Sequence, residues 1–175
     1  AAAGELGGYC SRGARSAGTT TTTTNSLSNG GTKYDVNNDG VPDILVGDAR
    51  QNAGNIDQGQ VHIFSGANGV LLRTLNSPNP QAGAFFGASA ASVGDINGDG
   101  VPDILIGASG EDVAGNTKQG RAYVFSGATG ALLLTLDLPN PASPPFNGFA
   151  NFGFSVAGSG DVNGDAIPDL IVGAP

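Results

Sequence analysis

Three copies of one acidic nonapeptide constrain this chain more than any other feature. They are DVNNDGVPD at 35–43, DINGDGVPD at 95–103 and DVNGDAIPD at 161–169. Each copy has oxygen-bearing side chains at its positions 1, 3, 5 and 9, and a small residue at position 6. A hard cation such as Ca²⁺ takes about six to eight oxygen ligands from a tightly curved loop. The triplication therefore predicts an array of similar units, each with a cation-binding loop.

The acidity of the chain is concentrated in these loops. The formal net charge is −8, and nine of the fifteen acidic residues lie in the three nonapeptides. Three Ca²⁺ ions would reduce that charge to −2, so the acidity indicates metal ligation and not an acidic tail. Lys and Arg total only seven and form no basic stripe, which argues against a nucleic-acid partner.

Longer repeats surround the nonapeptides. FSGANGVLLRTL at 64–75 matches FSGATGALLLTL at 125–136, and FGASAASVGD at 86–95 matches FGFSVAGSGD at 152–161. Periods of about 60 residues with several short strand patterns indicate propeller blades or a solenoid. Short apolar runs separated by Gly-rich turns predict four strands in the full period. These strands are at 86–93, 104–107, 121–125 and 132–136.

The chain divides into an arm and a repeat array. Residues 1–30 are rich in Ala, Gly, Thr and Ser, and are predicted to be an N-terminal arm or linker. Thr19–Thr24 could carry O-linked sugar or form an extended strand. Residues 31–175 are predicted to be all-β, with propeller-like blades of short antiparallel strands. The repeats are placed at about 31–85, 86–151 and 152–175.

The repeats resemble FG-GAP repeats, the unit of the β-propeller in integrin α subunits. The Phe-Gly pairs are Phe86-Gly87 and Phe152-Gly153, and the acidic loops follow them as in the family. The Gly-Ala-Pro element is intact at 173–175 and altered at 107–109 and 47–49. The resemblance covers about 31–175 and implies a β-propeller fold, structural Ca²⁺ and a role in adhesion.

The resemblance also implies which residues hold up to three structural Ca²⁺ ions. In each loop the ligands are the side chains at positions 1, 3, 5 and 9 and the backbone carbonyl at position 7. The implied ligands are Asp35, Asn37, Asp39, Val41 and Asp43 in the first loop; Asp95, Asn97, Asp99, Val101 and Asp103 in the second; and Asp161, Asn163, Asp165, Ile167 and Asp169 in the third.

Two departures from the pattern have consequences. Ala166 stands in the third loop where the other two have Gly40 and Gly100. If this position requires a left-handed backbone, alanine costs about 1–2 kcal/mol, and the third site is expected to be the weakest or to be locally reshaped. The first repeat also lacks a Phe-Gly motif, since Asn25–Tyr34 occupies the place of its opening strand.

The number of repeats is too small for a closed ring in one chain. A closed propeller needs about four to eight blades, whereas this sequence has one complete repeat and two partial ones. Three explanations are open: a fragment of a longer propeller, an ordered part of a larger protein, or copies that complete each other's blades head-to-tail in a ring or fibre. An unfinished blade at both ends favours the third, with the Thr-rich arm as a donor strand.

Three hypotheses on function follow. The first is a calcium-stabilised extracellular structural protein whose partners are copies of itself. The second is an adhesion or ligand-binding propeller module whose partner is an extracellular protein or glycan. The third is an accessory domain of a secreted enzyme. The chain itself is not expected to be an enzyme, because His62, its only histidine, has no recognisable catalytic partners in the sequence and is expected at the surface.

The remaining residues receive structural interpretations. No apolar run approaches about 18 residues, so no membrane span is predicted. A chain that starts at Ala1 and contains no Met agrees with a secreted or cell-surface protein whose signal peptide has been removed. Cys10 is a lone thiol or an intermolecular bridge. Glu111 and Asp112 are at a solvated loop tip or form a rim contact, and the loop tip is favoured. Phe85, Phe86, Phe146, Phe149, Phe152 and Phe154 are expected in the blade core.

Overall fold

Three antiparallel sheets follow one another along the chain. The computed structural model describes residues 34–139 and 149–175, and every regular element in these ranges is a β-strand. A helix long and apolar enough to cross a membrane is accordingly missing from them. Sheet 1 contains β1 (Ile44–Asp48), β2 (Gln60–Phe64) and β3 (Leu71–Asn76). Sheet 2 contains β4 (Phe86–Gly94), β5 (Asp103–Ala108), β6 (Arg121–Phe125) and β7 (Leu132–Asp137), and sheet 3 contains β8 (Ser155–Gly160) and β9 (Asp169–Gly173).

The sheets confirm the predicted all-β fold and the four strands of the full period. Strands β4 to β7 occupy the predicted segments, with at most one residue added at either end. All six residues of β5 are buried, because sheets pack against both of its faces. Within the described residues the three sheets form an open array and not a ring. The arm at 1–30, with Cys10 and Thr19–Thr24, lies outside the described residues, as do residues 25–33 and Phe146.

Sheet 2 packs between its neighbours, with β4 in contact with both β1 and β8. The core between sheets 1 and 2 is built around Val61, Phe86 and Tyr123, and includes an edge-on contact between Phe86 and Phe125. The core between sheets 2 and 3 contains Val93, Leu105, Val124 and Phe152. Each of these cores is buried only where two consecutive sheets pack face to face. Consecutive repeats therefore stabilise each other.

Glycines let the sheets meet at the backbone. A Cβ on Gly47 would lie 2.1 Å from the carbonyl oxygen of Gly87, and one on Gly107 would lie 1.9 Å from that of Gly153. No side chain fits at these distances, so the glycine at the end of one repeat's second strand leaves room for the Phe-Gly motif of the next.

Backbone hydrogen bonds fasten the same contact. The N–H of Phe86 donates to the carbonyl of Gln58, and the N–H of Phe152 donates to that of Gln119, each over 2.9 Å. The contact between sheets 1 and 2 is therefore repeated between sheets 2 and 3. The Phe-Gly motif serves as a docking segment as well as the start of a strand.

The phenylalanines confirm the predicted core only in part. Phe86 and Phe152 are buried, and Phe85 is half-buried. The core assignment was wrong for Phe149 and Phe154, which are 56% and 59% exposed. Phe154 precedes β8 in the sheet with the fewest strands, and the ring of Phe149 lies 4.8 Å from the Lys118 ammonium at the surface. Both rings fall where no further strand of the described residues covers them.

The expectation that Glu111 lies at a solvated tip was also wrong. Its side chain is fully buried, and its carboxylate accepts hydrogen bonds from the Tyr123 hydroxyl, the Asn79 amide and the Arg121 guanidinium at 2.7–3.1 Å. A buried charge needs such partners, which the sequence does not reveal. Burial, reinforced by this carboxylate, raises the pKa of the Tyr123 hydroxyl above its ordinary range. Asp112, in contrast, is exposed as expected.

The glycine contact predicts a specific weakness at Gly107. Changing Gly107→Ala should destabilise the protein by about 3 kcal/mol, because the new Cβ forces sheets 2 and 3 apart. Gly115→Ala is the control, since it meets open space and carries only the strain of a positive φ of 86°. Urea unfolding of both variants measures the difference. Equal losses in the two variants would show that the close approach of the sheets is not a constraint.

Candidate cation loops

The three acidic loops occupy equivalent places at one end of the sheets. The second loop joins β4 to β5, the third joins β8 to β9, and the first precedes β1, the counterpart of β5. The predicted position between the first and second strands of a blade is thus observed for two loops. The backbone around each loop is curled by its own carboxylates, which accept hydrogen bonds from N–H groups of the same nonapeptide.

The aspartate at position 1 closes each loop. One oxygen of Asp35 accepts the N–H of Gly40 at 2.7 Å, and Asp95 accepts that of Gly100 at the same distance. In the third loop Asp161 accepts the N–H of Ala166 at 2.9 Å. The position-6 residue is therefore held against position 1 in all three loops, which brings positions 1 to 5 into one turn.

Positions 3 and 5 form the second part of the curl. In the first loop the Asn37 carbonyl oxygen accepts the N–H of Asp39, and the Asn37 amide donates to the Asp39 carboxylate. The N–H of Val41 then donates to the other oxygen of Asp39 at 2.8 Å. The same bonds recur in the second and third loops. No observation places the position-7 carbonyls of Val41, Val101 and Ile167 toward a cation, so their role stays a prediction.

The aspartate at position 9 ties each loop to its sheet. One oxygen of Asp43 accepts the N–H of Val36, and the corresponding oxygens of Asp103 and Asp169 accept the N–H at the same loop position, over 2.7–2.8 Å. The other oxygen of Asp103 accepts the N–H of Gly127 from the β6–β7 turn. Asp43 has the same bond to the β2–β3 turn. The described residues provide no such turn for the third loop.

Burial separates the third loop from the others. At position 1, Asp35 is buried and Asp95 is half-buried, whereas Asp161 is exposed. Burial raises the pKa of Asp103, against the opposing effect of three backbone N–H groups. Hydrogen bonds from the Asn97 amide and the Val101 N–H lower the pKa of Asp99, and the N–H of Ala166 is the largest cause of the lowered pKa of Asp161. At neutral pH Asp99 and Asp161 are therefore ionised.

The donor chemistry of the loops fits a hard cation. Each loop offers three carboxylates and an amide oxygen within nine residues, and all potential ligands are oxygen. In the described residues no three acidic, histidine or cysteine side chains converge closely enough to hold a metal by themselves. Amide and backbone oxygens or water would therefore have to complete the coordination. Calcium accepts such mixed oxygen sets, while imidazole- or thiolate-preferring metals do not.

The residue at position 6 of each loop has the left-handed backbone conformation that the glycines of the first two loops predict. The φ angles of Gly40 and Gly100 are both 84°, and Ala166 adopts 69°. The third loop therefore keeps the shape of the other two, at the cost of strain in a residue that carries a Cβ. His62 is half-buried, and its Nδ1 lies 3.0 Å from the Thr74 hydroxyl.

Comparison with known proteins agrees with this repeated geometry. A family model described as FG-GAP repeat matches residues 86–125 and 152–175, which include the second and third loops. The chain carries FG-GAP repeats. The first repeat is not matched by the family model, in line with its missing Phe-Gly motif.

Integrin α chains are similar to most of this FG-GAP sequence. Identity is 35% over 147 residues with integrin alpha-11 of Homo sapiens, 34% over 146 residues with integrin alpha-2 of Bos taurus, and 36% over 155 residues with integrin alpha pat-2 of Caenorhabditis briggsae. These matches cover 80–82% of this chain. The chain spans only 12% of the length of each of these relatives.

The strain at position 6 of the third FG-GAP loop predicts the effect of an exchange. Ala166→Gly should stabilise sheet 3 by about 1 kcal/mol, because glycine adopts the positive φ without a Cβ penalty. Gly100→Ala in the second loop should lose a similar amount, since that position has open space around it and only the strain differs. Urea unfolding followed by circular dichroism tests both. A loss of stability in Ala166→Gly would contradict the strain argument.

Proposed function

We propose that this chain is part of an extracellular adhesion or ligand-binding β-propeller of the integrin α type. The observation that carries the proposal is the match of four-fifths of the chain to integrin α chains, through repeats that share one docking contact and one loop geometry. The partner would be an extracellular protein or glycan. The chain would be a binding module and not an enzyme.

We further propose that each loop holds one structural Ca²⁺. Three aspartates within nine residues repel one another when ionised, and a divalent cation removes that repulsion while it fixes the turn. The second and third loops lie between strands, and in all three loops the carboxylates are oriented by backbone N–H groups, which favours a structural site. The Asp and Asn side chains at positions 1, 3, 5 and 9 would supply the ligands. The high Ca²⁺ concentration outside cells is consistent with the proposed location.

A second arrangement, in which copies of the chain complete each other's sheets in a fibre or ring, has one observation in its favour. Ile171 in β9 is 56% exposed, whereas Leu105, at the same place in β5, is fully buried. Sheet 3 therefore has apolar surface and an edge that another strand would cover. Further repeats of a longer polypeptide would supply that strand, and so would a second copy in a fibre or ring. Sedimentation of the chain over a range of concentrations distinguishes these two sources of the strand. Only pairing with other copies gives assemblies that grow with concentration.

Calcium should stabilise the isolated chain. At about 100 times the dissociation constant, one site adds roughly 2.7 kcal/mol to the free energy of unfolding. The triple variant Asp39→Asn, Asp99→Asn, Asp165→Asn should lose this response, while the control Asp57→Asn removes a charge outside the loops and should keep it. Thermal unfolding with Ca²⁺, Mg²⁺ or chelator provides the measurement. A melting temperature that is independent of Ca²⁺ would refute the cation sites.

Adhesion is tested by attachment of cells to a surface coated with the chain. Attachment above an albumin-coated surface is expected, and the same triple variant should reduce it because the loops would no longer order the repeats. A variant is a better control than chelator, which would also strip cations from the cells. Equal attachment to albumin and to the coated chain, with Ca²⁺-dependent stability intact, would refute adhesion and leave the cation sites standing.

A further inference from the structure

The turn between β6 and β7 forms part of the surroundings of the second loop. The N–H of Gly127 donates to Asp103 at 3.1 Å, and the Ser126 hydroxyl lies 3.4 Å from the Asp99 carboxylate. Two aspartates of the loop, at positions 5 and 9, are thus contacted from outside the nonapeptide. A change in their position on cation binding would be felt by this turn.

The turn packs closely against the loop. A Cβ on Gly127 would lie 1.9 Å from the carbonyl oxygen of Pro102, so only glycine allows this approach. Within the turn, the N–H of Ser126 donates to Ala131 and the N–H of Gly130 donates back to Ser126, each over 2.8 Å. These bonds link the two ends of the segment Ser126–Gly130, called here the relay turn.

Sheet 1 contacts the relay turn on the side opposite the second loop. The guanidinium of Arg73 in β3 donates to the carbonyl of Ala128 at 2.8 Å and also to that of Thr129. The first loop reaches the turn directly, because Cγ1 of Val36 lies 3.2 Å from where a Cβ on Gly127 would be. Val36 is position 2 of the first loop, and its N–H is held by Asp43. The relay turn thus touches both loops.

We infer that Ca²⁺ binding at the first and second loops is positively coupled, and that Arg73 and the relay turn carry the coupling. The inference rests on the proposed cation sites. A cation in the first loop fixes Val36 and Asp43, which orders one side of the relay turn. The second loop then loses less conformational entropy when it binds its cation, and thermodynamic linkage makes the effect reciprocal.

The next pair of loops offers an internal comparison. Leu134 in β7 stands where sheet 1 has Arg73, and the described residues give the third loop no counterpart of the relay turn, so this route is missing between the second and third loops. The third loop instead meets the end of β4, where Pro168 lies beside Gly94. Coupling between the second and third loops should therefore be weaker than between the first and second.

Calorimetric titration of the full chain with Ca²⁺ measures the coupling. Loops are disabled by Asp→Asn pairs at positions 1 and 5: Asp35 with Asp39, Asp95 with Asp99, and Asp161 with Asp165. With the third loop disabled, the affinities of the first and second loops together are compared with those of each alone. We expect each loop to bind about fivefold more tightly when the other is filled.

Substitution of Arg73 tests the route. Arg73→Met keeps the apolar stem and removes both hydrogen bonds, and should reduce the fivefold factor to below twofold. Arg73→Lys keeps the charge but cannot span both carbonyls, so it should reduce the coupling factor nearly as much. This variant replaces Arg73→Met in the test if Arg73→Met fails to fold. The control is Arg50→Met, which loses the same charge from an exposed residue that lies over Phe85 and outside the relay turn.

Hydrogen exchange gives an independent readout. With the second loop disabled, Ca²⁺ at the first loop should slow exchange of the Ser126 and Gly130 amides in the parent chain but not in Arg73→Met. Ca²⁺ binding without any coupling, or coupling that survives both Arg73 variants, would overturn this inference and leave the cation sites intact. Absence of Ca²⁺ binding at every loop would overturn the proposed sites and the inference together.

Discussion

Close contact between the backbones of consecutive sheets is the constraint on which the rest of this structure depends. At Gly47 and Gly107 there is no room for a Cβ, and the Phe-Gly segment of the next repeat fills that space. The adjacent hydrogen bonds to Gln58 and Gln119 fix the direction in which the chain enters β4 and β8. Because this entry sets the register of sheets 2 and 3, the positions of the second and third acidic loops follow from it.

The loops are therefore built from two parts of each repeat. The nonapeptide supplies the acidic side chains and curls around its own position-1 aspartate. The turn after the third strand then contacts positions 5 and 9, as Gly127 does at Asp103. In the third repeat the described residues provide only the first part, and its loop is the most exposed. A cation loop of this kind is thus complete only when the third strand of its own sheet is in place.

Much of the fold could be read from the repeats. The offsets between matching segments gave the strand positions within one residue, because turn-forming glycines bound each apolar run closely. The strain at Ala166 was also foreseeable, since two sister loops have glycine there. Glu111 was misplaced because a carboxylate in a Gly-rich loop carries no local sign that Tyr123, Asn79 and Arg121 will enclose it. Phe149 and Phe154 were misplaced because burial depends on strands that the local pattern does not count.

The sequence by itself determined the repeated unit, the three acidic loops and the residues within them, since these depend on local spacing and on the chemistry of oxygen ligands. Only the tertiary structure decided which surfaces meet. Arg73 and Val36 contact the relay turn although they lie more than fifty positions from it in the chain. The repeat pattern of the sequence does not predict this contact. Such contacts arise from the stacking of sheets, which is set by backbone approach at glycines and not by the pattern within any one repeat.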